Sequence, residues 1–115
     1  MKKYLCVDVG GTAIKMGILD EEGTIYETKK VKVPPTIEEM YQVIVDAFFH
    51  EDNLEGVALS MPGAVDSEKG IIGGSSAIDY IHGPHIKEDL ESRLHVRVEM
   101  ENDANCAALA EVWKG

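Results

Sequence analysis

Polar side chains are grouped at the start of a segment that is predicted to be helical. The stretch "ENDANCAALAE", residues 101–111, places Glu101, Asn102, Asp103 and Asn105 directly before a run of alanines. One such side chain is enough to cap a helix, and for Asp103 alone a cap is the simplest explanation. Several polar groups converging at the end of a strand instead form an arrangement that binds a hydroxyl-rich ligand and positions a base. From these residues alone, a cap and a binding site are equally good interpretations.

A second polar motif follows the first predicted strand, in "VDVGGTAIK", residues 7–15. Gly10 and Gly11 would let backbone N–H groups approach an anion, while Thr12 adds a hydroxyl and Lys15 a positive charge. Asp8 would hold Mg²⁺ directly or through water. A tight hairpin turn beside a capping acid is the simpler explanation for an isolated Gly-Gly-Thr. The loop matches neither the Walker A pattern nor the G-x-G-x-x-G fingerprint.

A third motif, "MPGAVDSEKG", begins where another apolar strand ends at Pro62-Gly63. Gly63 would expose backbone to a ligand in a cleft, although an ordinary turn explains it equally well. The following Gly- and Ser-rich stretch, residues 70–84, carries apolar residues throughout, which predicts a loop lying over a site. His82 and His85 form the only close histidine pair in the sequence, and we expect them to be solvated rather than metal ligands.

The hydrophobic pattern predicts an α/β fold that positions these motifs. Three alternating or apolar segments joined by short turns must form an antiparallel meander, because parallel pairing would need a long crossover. An amphipathic helix with the spacing of a capping box follows, from Thr36 and Glu39 onward. The predicted strands are residues 4–9, 13–19, 24–33, 54–61 and 96–100, and the predicted helices are residues 36–50, 86–94 and 104–113.

Composition argues against several classes of partner. The chain has 115 residues and a formal net charge of −10, and no stretch collects Lys or Arg into a basic patch. We therefore expect no binding to nucleic acid or to membrane surfaces. No apolar run approaches the roughly 20 residues of a membrane span, and no signal peptide is recognisable. The two cysteines, Cys6 and Cys106, are predicted as small core residues of a reduced, cytoplasmic protein.

Together the stretches "DVGGTAIK", "GVALSMPGAVD" and "ENDANCAALAE" strongly resemble the N-terminal half of the ROK family (repressor, open reading frame, kinase). The family contains sugar kinases and sugar-responsive repressors, and the resemblance runs from about residue 4 to the last residue. It implies the actin, hexokinase and Hsp70 type of fold, with two ribonuclease H-like lobes around a cleft. Residues 1–115 would be the first lobe, with a five-stranded mixed sheet, its three-strand meander and about three helices. The C-terminal lobe would be absent.

The resemblance also assigns roles to individual residues. Asp103 would be the general base, with Asn102 holding sugar hydroxyls beside it. Asp8 would lie near Mg²⁺, bound directly or through water. The first phosphate loop would comprise Asp8, Gly10, Gly11, Thr12 and Lys15, and the sugar pocket would be lined by Gly63, Ala64, Ser76, Asn102 and Asp103.

The activity implied is ATP-dependent phosphorylation of a hexose or hexose derivative of the glucose, N-acetylmannosamine or β-glucoside type. ATP and Mg²⁺ would be the cofactors, and sugar and ATP the small-molecule partners of a homo-oligomeric full-length protein. A structural zinc, the adenosine site and a second phosphate loop would belong to the other lobe. Family glucokinases commonly carry Asn-Leu-Gly-Trp where this chain has "SSAIDYIHGPHI", which leaves the preferred sugar open.

Three alternatives use the same residues differently. A sugar-responsive transcriptional repressor of the family would need a helix-turn-helix before the first strand, and only three residues precede "YLCVDV". A non-catalytic sugar sensor would keep the pocket and lose the base, whereas Asp103 is present. Other actin-like proteins, such as chaperones, share the phosphate loop and lack "ENDAN". The kinase remains the preferred interpretation.

Overall fold

The computed structural model describes residues 2–102, and of Asn102 the backbone only. A single-turn 3₁₀ helix, Asp79–Ile81, lies before the second α-helix. The strands are Lys3–Val9 (β1), Ala13–Asp20 (β2), Ile25–Lys32 (β3), Leu54–Met61 (β4), Ala64–Asp66 (β5), Ile71–Gly73 (β6) and Arg97–Asn102 (β7), and the α-helices are Ile37–His50 (α1) and Ile86–Leu94 (α2).

Five of the strands form one mixed sheet in the order β3-β2-β1-β4-β7. The pairs β1–β2 and β2–β3 are antiparallel, as their short connections require. The pairs β1–β4 and β4–β7 are parallel, and helices α1 and α2 supply the crossovers before β4 and β7. The predicted α/β class, the meander and the order of the elements are confirmed as far as Asn102. The predicted helix at 104–113 lies outside the described residues.

Both α-helices cover one face of this sheet. Alternate residues of β1, Leu5, Val7 and Val9, join a core that includes Met40 and Tyr41 of α1. Because side chains alternate along a strand, the residues between them point to the opposite face. The start of α1 is capped as the sequence predicts, since the Thr36 hydroxyl accepts a hydrogen bond from the Glu39 N–H at 3.2 Å.

A polar cluster joins the two α-helices. The Tyr41 hydroxyl donates to Asp89 at 2.7 Å, and the Arg93 guanidinium lies 4.5 Å from the centre of the Tyr41 ring. Arg93 also pairs with Glu38 at 3.0 Å. Burial, followed by the hydrogen bond to Asp89, raises the pKa of Tyr41. These contacts fix α2 on α1, and α2 in turn anchors the end of the segment that precedes it.

The stretch predicted as a loop contains more structure than expected. β5 and β6 form a small antiparallel hairpin, with Val65 opposite Ile72. The Gly70 N–H closes its turn on the Asp66 carbonyl at 2.8 Å. Ile72, Ile78 and Ile81 are all buried. The apolar residues that suggested a loop over a site instead hold this segment against the core.

The interpretation of Cys6 as a reduced thiol is wrong. Cys6 lies on β1 and is 8% exposed, and it is disulfide-bonded. Disulfide pairing depends on proximity in space, which sequence spacing does not show. The other cysteine of the chain, Cys106, lies outside the described residues. Among residues 2–102, no helix has both the length and the apolar character needed to cross a bilayer.

Candidate functional site

A row of polar residues crosses the sheet on the face opposite the two α-helices. Lys30 of β3 lies opposite Lys15 of β2, which lies opposite Asp8 of β1. Asp8 in turn lies opposite Ser60 of β4, and Ser60 opposite Glu101 of β7. Residues paired in this way project from the same face. The structure therefore places the predicted pair Asp8 and Lys15 side by side, both exposed.

The Gly-Gly-Thr loop is a tight hairpin turn, as the simpler interpretation requires. The Gly10 N–H donates to the Ala13 carbonyl at 2.9 Å, so this donor serves the turn. The Thr12 carbonyl accepts from the Val33 N–H at 3.1 Å and holds the loop to the end of β3. Gly11 and Thr12 are exposed. An anion at this loop would therefore meet Gly11 and Thr12 rather than the Gly10 N–H.

An open cavity of about 650 Å³ lies beside the loop. Tyr80 closes one side of it, because its hydroxyl donates to the Pro34 carbonyl at 2.6 Å. Burial, and then the nearby Glu39 carboxylate, raises the pKa of the Tyr80 hydroxyl. No sequence motif marks Lys32 or Tyr80 as part of a site, since Lys32 lies on the exposed edge strand β3 and Tyr80 in a segment predicted as a loop. The cavity is lined by Gly11, Thr12, Lys32, Val33, Pro34, Pro35, Ala77, Ile78, Asp79 and Tyr80.

Both the backbone conformation at position 63 and the neighbouring side chains require a glycine there. Its φ is +94°, a conformation that side chains disfavour. A Cβ atom there would lie 2.8 Å from Ile72 Cγ2 and 3.0 Å from His82 Cε1. Ala64 follows at the exposed start of β5. The turn interpretation of Gly63 is therefore correct, and the same turn connects the carboxyl end of β4 to the exposed Ala64.

Ser76 is held in place by its neighbours. Its hydroxyl lies 2.9 Å from His82 Nε2, 3.2 Å from the Ile78 carbonyl oxygen and 3.3 Å from the Ile78 nitrogen. His82 Nδ1 lies 3.4 Å from the Ile72 carbonyl oxygen. The expectation that His82 is solvated is thus wrong, because its ring is half-buried between these segments. His85 is exposed, as expected.

The three sequence motifs meet at one edge of the sheet. β1, β4 and β7 are adjacent and parallel, so their carboxyl ends lie together. The Gly-Gly-Thr loop follows β1, and Pro62-Gly63 follows β4. Asn102 ends β7 with its backbone opposite Met61, the residue before Pro62. Asp103 lies outside the described residues. An edge of this kind, at the carboxyl ends of parallel strands, is where α/β sheets bind ligands.

Comparison with known proteins identifies the family. A family model described as ROK family matches residues 4–115. This chain belongs to the ROK family. Its likeness to solved ROK kinases shows that the chain has the actin and hexokinase type of fold.

Individual ROK proteins match the chain closely over a limited part of their own length. A β-glucoside kinase of Klebsiella pneumoniae is 35% identical over 98% of this chain and 38% of its own. A ROK protein of Streptococcus pneumoniae, solved with sucrose, is 38% identical with a TM-score of 0.81, over 96% of this chain and 37% of its own. A ROK glucokinase of Streptomyces griseus, solved with glucose and AMPPNP, is 37% identical with a TM-score of 0.79, over 98% and 37%. The chain thus spans about two fifths of the length of these relatives.

Proposed function

We propose that this chain is the N-terminal lobe of an ATP-dependent sugar kinase. The observation that carries the proposal is the meeting of three motifs at the carboxyl ends of β1, β4 and β7. This arrangement puts an exposed Asp8 and Thr12, a glycine turn at Gly63 and the backbone of Asn102 at one end of the sheet. Relatives named β-glucoside kinase, N-acetyl-D-glucosamine kinase and glucokinase support the same reaction class.

In this proposal each group at the edge has a distinct task. Asp103 accepts the proton of the attacking sugar hydroxyl, and Asn102 holds neighbouring hydroxyls. Gly11, Thr12 and Lys15 face the phosphates of ATP. Phosphoryl transfer needs little covalent help from the protein, so positioning and charge neutralisation supply most of the catalysis.

The Asp8 carboxylate suits a magnesium ion shared with ATP. Mg²⁺ in kinases is commonly held by one or two carboxylates together with substrate phosphates and water. Asp8 offers one exposed carboxylate at a strand end, beside the phosphate loop. Within residues 2–102 no group of three or more His, Cys, Asp or Glu could form a metal site by itself. Mg²⁺ bound with ATP would neutralise phosphate charge, and Asp8 would orient it directly or through water.

The substrate that we propose is a hexose or hexose derivative of the glucose, N-acetylmannosamine or β-glucoside type. The relatives named above act on sugars of this size, and Gly63, Ala64 and Ser76 would form one wall of the pocket. A homo-oligomeric, cytoplasmic full-length protein and a zinc site in the second lobe remain predictions from the family resemblance.

A coupled assay tests the proposal. The two-lobed protein that contains this chain would be given ATP, Mg²⁺ and a panel of glucose, N-acetylmannosamine and free or phosphorylated β-glucosides. We expect turnover on at least one sugar, at the rates of about 1 to 100 per second that are typical of kinases. The 115-residue chain alone should show none, because the adenosine site is expected in the other lobe. Ordinary turnover by the single chain would overturn the two-lobe account.

Sugar-dependent regulation is the alternative. A ROK transcriptional regulator, a homologue of the Escherichia coli MLC protein, is 16% identical with a TM-score of 0.76, which is a likeness of fold alone. A sensor would bind sugar by calorimetry without forming ADP in the coupled assay. Those two results together would show that the protein is a sugar sensor and not a kinase.

A further inference from the structure

Two hydrogen bonds tie the Gly-Gly-Thr loop to the segment before α2 through a short link, residues 33–35. The Val33 N–H donates to the Thr12 carbonyl at 3.1 Å, directly after β3 ends. The Tyr80 hydroxyl donates to the Pro34 carbonyl at 2.6 Å. Since a carbonyl oxygen only accepts, the phenol O–H is the donor in this second bond. The link is therefore held by the loop on one side and by Tyr80 on the other.

The two prolines make the link stiff and leave it few other attachments. A proline ring fixes φ at about −65° and removes the backbone N–H, so neither Pro34 nor Pro35 can donate a main-chain hydrogen bond. A residue that precedes proline favours extended conformations, and this restriction applies to both Val33 and Pro34. A constraint on the Pro34 carbonyl is thus passed to the Val33 N–H, one residue away. The Tyr80 hydroxyl should therefore stabilise the Val33–Thr12 hydrogen bond.

The segment that carries Tyr80 is more firmly anchored than the loop. Ile78 and Ile81, on either side of Tyr80, are buried in the hydrophobic core. Gly11 and Thr12 are exposed. Loss of the bond between Tyr80 and the link should therefore release the loop and leave the segment in place.

The surroundings of Tyr80 keep its hydroxyl protonated and near the loop. Burial, followed by the nearby Glu39 carboxylate, raises the pKa of Tyr80 above its ordinary value of 10.0. The phenol is therefore a hydrogen-bond donor at neutral pH. A Cβ atom on Gly11 would lie 3.5 Å from Ala77 Cβ, so the loop and the segment are direct neighbours.

We propose that Tyr80 is a positioning residue that holds the Gly-Gly-Thr loop in place for the phosphates of ATP. The proposal rests on the proposed kinase, in which Gly11 and Thr12 face those phosphates. Tyr80 does not touch the reacting atoms and acts through the link and the Val33–Thr12 hydrogen bond. Because the same segment carries Ser76, the Tyr80 bond also joins the proposed sugar wall to the proposed phosphate site.

Amide hydrogen exchange in the ¹⁵N-labelled 115-residue chain tests the positioning role without any ligand. Tyr80→Phe removes the hydroxyl and keeps the ring. We expect the Val33 amide to exchange roughly three- to tenfold faster, the range of one lost hydrogen bond, with the amides of β1 little changed. Tyr41→Phe is the matched control, because it removes another tyrosine hydroxyl bond, between α1 and α2, and should not single out Val33. Unchanged Val33 exchange in Tyr80→Phe would overturn the proposal, whatever reaction the full-length protein performs.

Kinetics of the two-lobed protein test the consequence for ATP. Tyr80→Phe should raise KM for Mg-ATP by roughly three- to tenfold and leave KM for the sugar within about twofold. The sugar wall should be spared, because Ser76 has hydrogen bonds of its own within the same segment. Pro34→Gly loosens the link and keeps Tyr80, and it should give the same pattern. Tyr41→Phe should change neither constant.

The outcomes separate the two proposals. Equal increases in both KM values would show that the Tyr80 bond supports the fold as a whole, and would overturn the positioning role. If Tyr80→Phe fails to fold by circular dichroism, Pro34→Gly decides the matter, since an unchanged KM for Mg-ATP in that variant overturns the proposal. Absence of turnover on every sugar in the wild-type protein would instead refute the kinase, and the exchange of the Val33 amide would still decide whether Tyr80 holds the loop.

Discussion

At the scale of single residues, the proposed kinase would give the two carboxylates Asp8 and Asp103 different tasks. Asp8 faces Lys15 across β1 and β2, beside the loop proposed to meet phosphate. Asp103 directly follows Asn102, the last residue of β7. Substituting each in turn in the two-lobed protein should therefore affect different kinetic constants.

Asp103→Asn should lower kcat by about 10²-fold or more and leave sugar affinity within about tenfold, because general-base catalysis contributes about 10² to 10⁴. The measurements are steady-state kinetics with ATP and sugar binding by calorimetry. Near-normal turnover would mean that Asp103 is only a helix cap.

Asp8→Ala should weaken use of Mg-ATP and spare sugar binding, because this carboxylate faces the phosphates. Asp52→Ala is a matched control, since it removes the same charge from an exposed residue near the start of β4, at the other end of the parallel strands. KM for Mg-ATP and calorimetry with sugar are the readouts. Loss of sugar binding with unaffected nucleotide use would show that the two sites are wrongly assigned.

At this scale, functional residues can be predicted from the sequence only where a motif marks them. Asp8 and Gly63 stand in short patterns that suggest chemistry by themselves, whereas Ser76 is assigned only through the family resemblance. The partial burial of His82 depends on the β5–β6 hairpin, which brings the Ile72 carbonyl close to its ring. Nothing in the spacing of "SSAIDYIH" predicts that contact, so the histidine was interpreted as solvated.

At the scale of elements, the turn between β2 and β3 is organised by one carboxylate. Asp20 is 3% exposed and accepts hydrogen bonds from the Glu22 N–H, the Thr24 N–H and the Tyr26 hydroxyl. The Tyr26 hydrogen bond is the main reason that the pKa of Asp20 lies below its ordinary value of 3.8. The ionised form is thus favoured by folding.

The stability contributed by Asp20 should depend on pH. A carboxyl whose pKa is lowered by folding stabilises the protein fully above its unfolded-state pKa, and the contribution is lost as pH falls through the folded-state value. In urea unfolding of the 115-residue chain, Asp20→Asn should therefore be less stable than wild type at pH 7, and the difference should shrink below about pH 4. Glu22→Gln removes the same charge and should leave the pH profile nearly parallel to wild type. A constant difference for Asp20→Asn down to pH 2 would contradict the assignment.

The Tyr41–Asp89 hydrogen bond joins α1 to α2. Tyr41→Phe removes the bond to Asp89 and keeps the ring under Arg93. We expect a loss of about 1 to 2 kcal/mol in the free energy of unfolding, since Asp89 then loses a part-buried donor. Gln42→Ala removes an exposed hydrogen bond from the same helix and should change stability by less than about 0.5 kcal/mol. Equal effects of the two substitutions would show that the Tyr41–Asp89 bond does not join the helices.

The longer strands and helices can be predicted from the sequence because their hydrophobic pattern repeats several times. The strands β1 to β4 and the helices α1 and α2 match the apolar patterns to within about two residues, since each pattern extends over two or more turns or several alternations. β5 and β6 have three residues each, too few for an alternation to stand out. Their pairing depends on the turn at 66–70 and on the burial of Ile72, which only the folded chain provides.

At the scale of the whole molecule, the proposed kinase would use this chain as one wall of a cleft. The polar row from Lys30 to Glu101 lies on the sheet face opposite the α-helices, and the cavity lies beside Thr12 at the end of β1. Sugar and ATP would have to be enclosed by a second lobe for positioning to supply catalysis. The family resemblance implied a mixed five-stranded sheet. The parallel order of β1, β4 and β7, and the meeting of the loops that follow them, come from the structure.

Sugar affinity should reflect this incompleteness. We expect the 115-residue chain to bind its sugar with a Kd in the millimolar range or weaker, about −4 kcal/mol or less favourable, because half of the contacts and the closure of the cleft are missing. Isothermal calorimetry with the sugar preferred by the two-lobed protein measures this. A micromolar Kd for the chain alone would mean that one lobe holds a complete sugar site.

The crowding at Gly63 has a consequence for how its family has diverged. Gly23 also has a positive φ, of +87°, but a Cβ atom there would meet nothing within 4 Å, so Asn or Asp should be accepted. At Gly63 both the backbone and the contacts with Ile72 and His82 exclude every other residue. Glycine should therefore be retained at this position even in relatives that no longer catalyse phosphorylation. A catalytic carboxylate, by contrast, should be replaced once there is no selection for turnover. A ROK protein that retains the Pro-Gly turn but lacks the base would therefore be expected to descend from a kinase and to act as a sugar sensor.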